Sequence, residues 1–328
     1  MLLKTVGLGV IGLGSMGKIH FQHAHRLQGA RLVAVSDLSK KALSEAREKR
    51  VKNIYSDYEG LLRNEDVDAV VIALPTHLHF QCAKSAAEAG KDIFLEKPLA
   101  RNVEEAKNLV SVVQKSSVKL MVGYPLMFNQ TFRAMKEKIR NGELGDVEIA
   151  YATNIGPGPF ASRVDTHLPM PVPEWWFSRE LAGGGVLMDL GCHMISLLRW
   201  YFGDIRQATS RLEHRFNLDI EDGALCFIKF LSGTRAIINV GWFSQAYLLR
   251  VELSGTVSHV VAQDAPSNPF SSMLYHLTRG TSRFMWSYYV ELQYFVDCLI
   301  QDQHPLSSAE DGLKDIEAIS LAYKNQAF

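Results

Sequence analysis

Six residues, Gly12-Leu13-Gly14-Ser15-Met16-Gly17, constrain this chain more than any others. They follow an apolar run, Val6 to Ile11, and precede a helical pattern from Ile19 to Leu27. A buried strand, a glycine turn and a helix in that order form a dinucleotide-binding fingerprint. Gly12 permits the tight turn. Gly14 lets the backbone approach a pyrophosphate that any side chain would block. Gly17 lets the helix pack close to the strand. The pyrophosphate then sits on the positive helix N-terminus, which makes Gly12, Gly14, Ser15, Met16 and Gly17 the expected phosphate contacts.

An ordinary glycine-rich strand-to-helix turn carries the same spacing, and a downstream acid separates the two. Asp37 lies 25 residues after Gly12, just past a second apolar strand, Arg31 to Val35. A carboxylate there accepts hydrogen bonds from the adenosine ribose hydroxyls and repels a 2′-phosphate. Lys40 and Lys41 follow, and they read as the solvated face of a helix capped by Ser39. The expected cofactor is NAD rather than NADP.

At 328 residues the chain suits two domains of ordinary size. Hydrophobic residues make up 47% of it, enough for substantial cores. Its 35 basic and 35 acidic residues balance and form no basic run, which argues against a nucleic-acid partner. The apolar stretches read as strand-length, so no membrane span is expected. The N-terminus lacks the basic segment and cleavage site of a secretory signal. Cys82, Cys192, Cys226 and Cys298 show no C-x-x-C spacing and read as reduced thiols of a cytoplasmic protein.

Residues 1–123 alternate strands and helices. Asn53 to Tyr55, Ala69 to Leu74, Asp92 to Leu95 and Leu120 to Gly123 read as further strands, with helices over His79 to Ala89 and Val103 to Ser116. The expectation is a doubly wound parallel sheet of Rossmann type, in which ligands bind beyond the carboxyl ends of the strands. The fourth strand ends in Leu74-Pro75-Thr76-His77-Leu78-His79 and the fifth in Glu96-Lys97-Pro98. A lysine in that place is positioned to hydrogen-bond a substrate hydroxyl and to stabilise a developing alkoxide. Taken alone, it reads more simply as a surface lysine at a strand–loop junction.

Residues 124–328 change character. After a helix over Phe128 to Ile139 come strand-like segments at Asp146 to Tyr151, Leu225 to Phe230, Arg235 to Val240 and Leu248 to Leu253. They imply an α+β domain with a large, mostly antiparallel open sheet. Gly156-Pro157-Gly158-Pro159 and Pro169 to Pro173 mark an irregular loop, and Val290 to Ile300 and Leu313 to Tyr323 read as closing helices. Within this half, Gly183-Gly184-Gly185 opens a helix through Trp200 that carries Asp189 and His193, spaced i, i+4 on one face. A carboxylate and an imidazole there can transfer a proton while binding a polyol. A metal reading needs a further ligand such as Asp165 or His167, and no metal is expected.

Gly12 to Gly17, Glu96-Lys97-Pro98 and Gly183-Gly184-Gly185 with Asp189-x-Gly191-x-His193 occur in that order over nearly the whole chain. Together they resemble the hallmarks of the Gfo/Idh/MocA oxidoreductases, the group of glucose–fructose oxidoreductase and inositol 2-dehydrogenase. The resemblance implies that Lys97 polarises the substrate hydroxyl, His193 is the general acid/base and Asp189 binds substrate. It also implies cofactor contacts from Leu74, Pro75, Thr76, His79, Glu96 and Lys97, and a homodimer or homotetramer built on the outer face of the second sheet. The chain departs from the family in two places. Tyr124-Pro125-Leu126-Met127-Phe128 stands where an Asn-Arg pair is frequent, and Ser196 stands where an Asp often follows the helix histidine.

Tyr124, Trp176 and Arg179 are the candidate substrate contacts. Aromatic faces suit the C–H surfaces of sugars, and arginine suits a carboxylate or phosphate. Packing of their loop against the sheet explains Trp175, Trp176 and Arg179 equally well. The expected reaction is hydride transfer between NAD and a secondary alcohol of a sugar, cyclitol or sugar derivative. Competing readings are a nucleotide-sugar (UDP-amino sugar) 3-dehydrogenase, an imine or enone reductase, and an NAD-binding sensor without turnover. Retention of Lys97, Asp189 and His193 favours an enzyme over the sensor.

Overall fold

Strands that are apolar on both sides need a covering layer on each face. In the computed structural model six of them form one parallel sheet. They are β1 (Val6–Ile11), β2 (Ala30–Ser36), β3 (Asn53–Tyr55), β4 (Ala69–Ile72), β5 (Asp92–Glu96) and β6 (Leu120–Gly123), in the order β3-β2-β1-β4-β5-β6. Every residue of β1, β4 and β6 is buried. Helices α1 (Ser15–Ala24), α2 (Lys40–Glu48), α3 (Tyr58–Leu62), α4 (Thr76–Glu88) and α5 (Val103–Ser116) connect them. The strand order reverses between β1 and β4, which makes the ends of those two strands the ligand-binding edge. α1 starts at Ser15 rather than Ile19, because the glycine turn itself supplies the first helical turn.

The structure describes residues 5–159, 173–244, 247–263 and 283–326. They form two units, residues 1–125 with 287–313, and residues 126–286 with 314–328. The first break falls at 125/126, and residues 287–313 group with the parallel sheet. The reason is apolar: Leu292, Phe295 and Val296 are buried, and Phe295 meets Phe94 of β5 edge-on at 5.8 Å.

The second unit opens with α6 (Gln130–Arg140), preceded by a 3₁₀ turn over Pro125–Phe128 that takes in Phe128, the expected first residue of the helix. The Asn129 side chain accepts the Thr131 N–H at 2.9 Å and sets that boundary. The sheet consists of β7 (Val147–Ile155), β8 (Ile205–Glu213), β9 (Gly223–Phe230), β10 (Arg235–Gly241), β11 (Leu248–Gly255) and β12 (His259–Gln263). Its order is β12-β11-β7-β10-β9-β8, and only β7 and β10 pair in parallel. Alternation sorts its faces. Cys226, Ile238, Ala152, Val251 and Ala262 form a buried row across the strands, while Phe227, Ile237, Tyr151, Glu252 and Val261 form the opposite, partly exposed row.

Helices α7 (Arg179–Ala182) and α8 (Cys192–Phe202) flank the triple glycine, and α9 (Arg283–Ile300) and α10 (Ala309–Lys324) close the chain. Sequence reading found only strand-length apolar stretches, yet Arg179–Phe202 is long and apolar enough to cross a membrane. Its apolar character has a different cause, since 72% of its most apolar window is buried inside the protein. The Arg199 guanidinium ends the buried stretch in an ion pair with Asp315 at 2.7 Å.

In the first unit, Glu291 of α9 is fully buried. Burial, and then the Glu96 carboxylate, pushes its pKa well above the ordinary 4.5. The folded state therefore keeps a proton that the unfolded chain loses near pH 4.5. The sign follows: stability tied to this neutral acid is complete below that pH and declines as pH rises. Glu291→Gln keeps the neutral shape, so it is expected to stabilise the protein at pH 7 and to have little effect at pH 4.5. Urea unfolding at the two pH values measures this, and equal effects at both would contradict it.

Candidate active site

The glycine turn has the geometry of a phosphate cradle. Gly12 adopts φ +87°, open to glycine without strain, and a Cβ on Gly17 would lie 1.9 Å from Gly12 O. A Cβ on Gly14 would meet nothing within 4 Å, so this side of the turn has room for a ligand. α1 has neither a side-chain cap nor an acid in its first turn, which leaves its leading N–H groups to an anion.

Asp37 stands at the end of β2. Its Oδ2 accepts the Leu13 N–H at 2.6 Å and its Oδ1 accepts the Ser39 N–H at 2.7 Å. The acid expected at the ribose thus also ties the glycine turn to β2, and each oxygen keeps a lone pair for a hydroxyl. These residues fit the adenosine and pyrophosphate of NAD.

At the ends of β4 and β5, Leu74 and Pro75 are partly exposed and Thr76 is buried in the first turn of α4. His79, expected at the cofactor, is 1% exposed, and its Nδ1 and Nε2 each lie 2.8 Å from a backbone carbonyl, of Pro98 and Leu74 respectively. It joins the two strand ends that carry its neighbours. Burial lowers its pKa, against the opposing pull of those carbonyls and of Glu96. Glu96 is likewise engaged inside the unit. Its Oε1 is 2.6 Å from His20 Nε2, and its Oε2 accepts the Lys97 N–H at 3.2 Å. Lys97 is half-buried at the end of β5, and Tyr124, one residue past β6, is buried.

In the second unit, the helix after the triple glycine begins with a π-helical turn over Leu187–Gly191 and continues as α8. Such turns are frequent at functional sites. Between Gly184 and Arg199 only Asp189, Leu190 and His193 are not buried. The i, i+4 spacing therefore presents its carboxylate and imidazole on the accessible side of an otherwise buried helix. Cys192 Sγ donates to Asp189 O at 3.2 Å.

Two residues that sequence reasoning missed hold this helix. Glu221 is fully buried and accepts the N–H groups of Gly185 at 3.0 Å and Leu187 at 3.1 Å, and the Tyr323 hydroxyl at 2.6 Å. Burial first, and then Glu221, pushes the Tyr323 pKa far up. Nothing in the local spacing of Asp219-Ile220-Glu221-Asp222 marks that role. Trp242 donates its indole N–H to Asp189 Oδ2 at 3.2 Å. It follows β10 directly, so the strand-end rule that singled out Lys97 would have found it.

Of the expected substrate contacts, Trp176 is half-buried and stacks on Trp242 at 6.4 Å. Arg179 lies 3.8 Å from Glu221 Oε2 and over the Tyr323 ring at 5.8 Å, so its charge is engaged within the unit. Asp165, His167 and most of the proline loop lie outside the described residues. Among the described residues no group of three or more His, Cys, Asp and Glu is placed to hold a metal ion.

Known proteins are similar to this chain over most of its length. Residues 6–124 match the NAD-binding Rossmann-fold domain of the Gfo/Idh/MocA oxidoreductases, and residues 132–260 match the Gfo/Idh/MocA C-terminal domain. The myo-inositol 2-dehydrogenase of Thermotoga maritima is 27% identical, over 93% of this chain and 91% of that protein. The scyllo-inositol 2-dehydrogenase (NAD(+)) of Bacillus subtilis is 27% identical, over 98% of this chain and 93% of that protein. The scyllo-inositol dehydrogenase of Lactobacillus casei, solved with NAD(H) and scyllo-inositol, has the same fold. It superposes with a TM-score of 0.81 at 23% identity, covering 98% of this chain and 96% of that chain. With both of its units matched, this chain belongs to the Gfo/Idh/MocA family of NAD-binding oxidoreductases.

Proposed function

We propose that this protein oxidises a secondary alcohol of a free cyclitol or sugar with NAD. The observation that carries the reading is the helix after the triple glycine, where Asp189 and His193 are the polar residues left accessible along a buried stretch. In this reading the first unit binds the cofactor, and the second binds substrate and assembles the oligomer. NAD, when bound, supplies the hydride acceptor. Lys97 holds the reacting hydroxyl and disfavours its protonated form. His193 takes the hydroxyl proton, since an imidazole titrates near neutrality. Asp189 holds a neighbouring hydroxyl, and Trp176 offers an aromatic face to the C–H side of the ring.

Relatives that act on inositols support the substrate class. Arg179 is half exposed and stands 3.8 Å from Glu221 Oε2 and over the Tyr323 ring, so its charge is partly answered within the unit. The partly exposed row Phe227, Ile237, Tyr151, Glu252 and Val261, apolar except for Glu252, is the face for a second copy to cover, in a homodimer or homotetramer. Four buried cysteines suit a reducing cytoplasm.

Steady-state kinetics with NAD on a panel of inositols, sugars and UDP-sugars tests the reaction. Loss of a general base lowers a rate by about 10² to 10⁴. Lys97→Ala and His193→Ala are expected to lower kcat by that order with NAD affinity little changed, and Asp189→Ala to act mainly on KM. Near-wild-type kcat in His193→Ala across the pH range would move proton transfer elsewhere. Tight NAD binding with no turnover of any panel member would favour a sensor.

Asp37 is expected to set cofactor choice. Asp37→Ala should weaken NAD about tenfold, the scale of hydrogen bonds to a charged group, and narrow the gap to NADP. Fluorescence titration of both cofactors measures it, and a wild type that already prefers NADP would overturn the assignment. Light scattering at micromolar concentration is expected to show a dimer or tetramer, and a monomer would remove the role given to the sheet face.

A further inference from the structure

Trp242 is built into the second unit as a rigid donor. It is 2% exposed, and its backbone N–H donates to Asp222 O at 2.9 Å. Its indole is stacked on Trp176, centroids 6.4 Å apart and planes 24° from parallel. The loop at Gly158 also lies against the indole, where a Cβ would fall 2.2 Å from Trp242 Cδ1. One residue of the Gly156-Pro157-Gly158-Pro159 run is thus explained by the space the indole needs.

An indole N–H is a donor without acceptor capacity, and burying it unpaired costs free energy. Its acceptor here is Asp189 Oδ2 at 3.2 Å. A donor that cannot move selects one orientation of the carboxylate it meets. It commits one oxygen of Asp189 and sets the plane of the group.

We propose that Trp242 is a positioning residue for Asp189, fixing the carboxylate in the orientation that receives a substrate hydroxyl. The proposal rests on the reading of Asp189 as a substrate-binding group. It adds a dependence that the family motifs do not contain, because Trp242 lies outside all of them.

The NAD-loaded protein, isotope-labelled on tryptophan nitrogen, tests the contact. The indole resonance that disappears in Trp242→Phe belongs to Trp242, and Asp189→Ala is expected to move it. A resonance that stays in place overturns the proposal. Kinetics with NAD and myo-inositol, with D-glucose as second probe, test the role. Trp242→Phe is expected to raise KM about tenfold and leave kcat within about twofold, with NAD affinity unchanged and Tm lowered by the smaller buried ring. The rise is expected to vanish when Trp242→Phe is added to Asp189→Ala, because a residue acting through Asp189 then has nothing to position. An undiminished rise in the double variant, or a loss confined to kcat, overturns the role. Failure of the underlying reading looks different: Asp189→Ala keeps a wild-type KM, or the wild type turns over neither probe. Either result overturns the proposal even where the indole resonance moves.

Discussion

The second unit depends on the Glu221 carboxylate. A fully buried carboxylate is tolerated only when donors replace the water it has lost. Gly185, Leu187 and Tyr323 supply them to Oε1, while Oε2 has, among the described residues, only the Arg179 guanidinium 3.8 Å away. Two of those donors are backbone N–H groups at the start of the helix that carries Asp189 and His193. A negative charge at a helix N-terminus is favourable, so the same contact satisfies the acid and anchors the helix. A Cβ on Gly185 would lie 2.0 Å from Glu221 O, which explains why glycine stands at this point of the motif. The excluding atom at Gly185 is the backbone carbonyl of a residue 36 positions downstream, whose side chain also accepts the Gly185 N–H.

The first unit is arranged on the same principle. Polar side chains hold the glycine turn and the strand ends, Asp37 half-buried and His79 and Glu96 buried. Asp37 holds Leu13 of the glycine turn. His79 links the carbonyls of Leu74 and Pro98. Glu96 takes the Lys97 N–H on one oxygen and contacts His20 with the other. Support of this kind limits backbone drift at the strand ends, which hydride transfer requires because its rate depends steeply on geometry.

This division also explains what could be read in the sequence. The glycine turn and the Asp189/His193 pair are visible as local spacing, and so are the continuous apolar strands β1 and β4, whereas Lys97 stands out only beside the other family motifs. Supporting residues do not, since a buried Glu221 or His79 looks like any polar residue until the chain folds around it. β8 was missed because Arg206, Gln207, Thr209 and Arg211 interrupt its apolar residues, and it is legible only as the edge strand beside β9. The role of 287–313 was missed because its apolar residues show that it is buried without showing against what. Arg179–Phe202 was underestimated because Asp189 and His193 break the run in the sequence, while its neighbours are buried on every side.

The segment 287–313 has one more effect, on the order of events during synthesis. The parallel sheet is encoded by residue 125, but the layer that brings Phe295 against Phe94 and Tyr288 against His20 begins only at residue 287. Until then the nascent sheet carries an uncovered apolar side, a surface of the kind chaperones engage. The nucleotide-binding unit is therefore not a module that can be cut at its linker and moved. Exchange between relatives that takes residues 1–125 without 287–313 would join a β5 and an α9 that never adapted to one another.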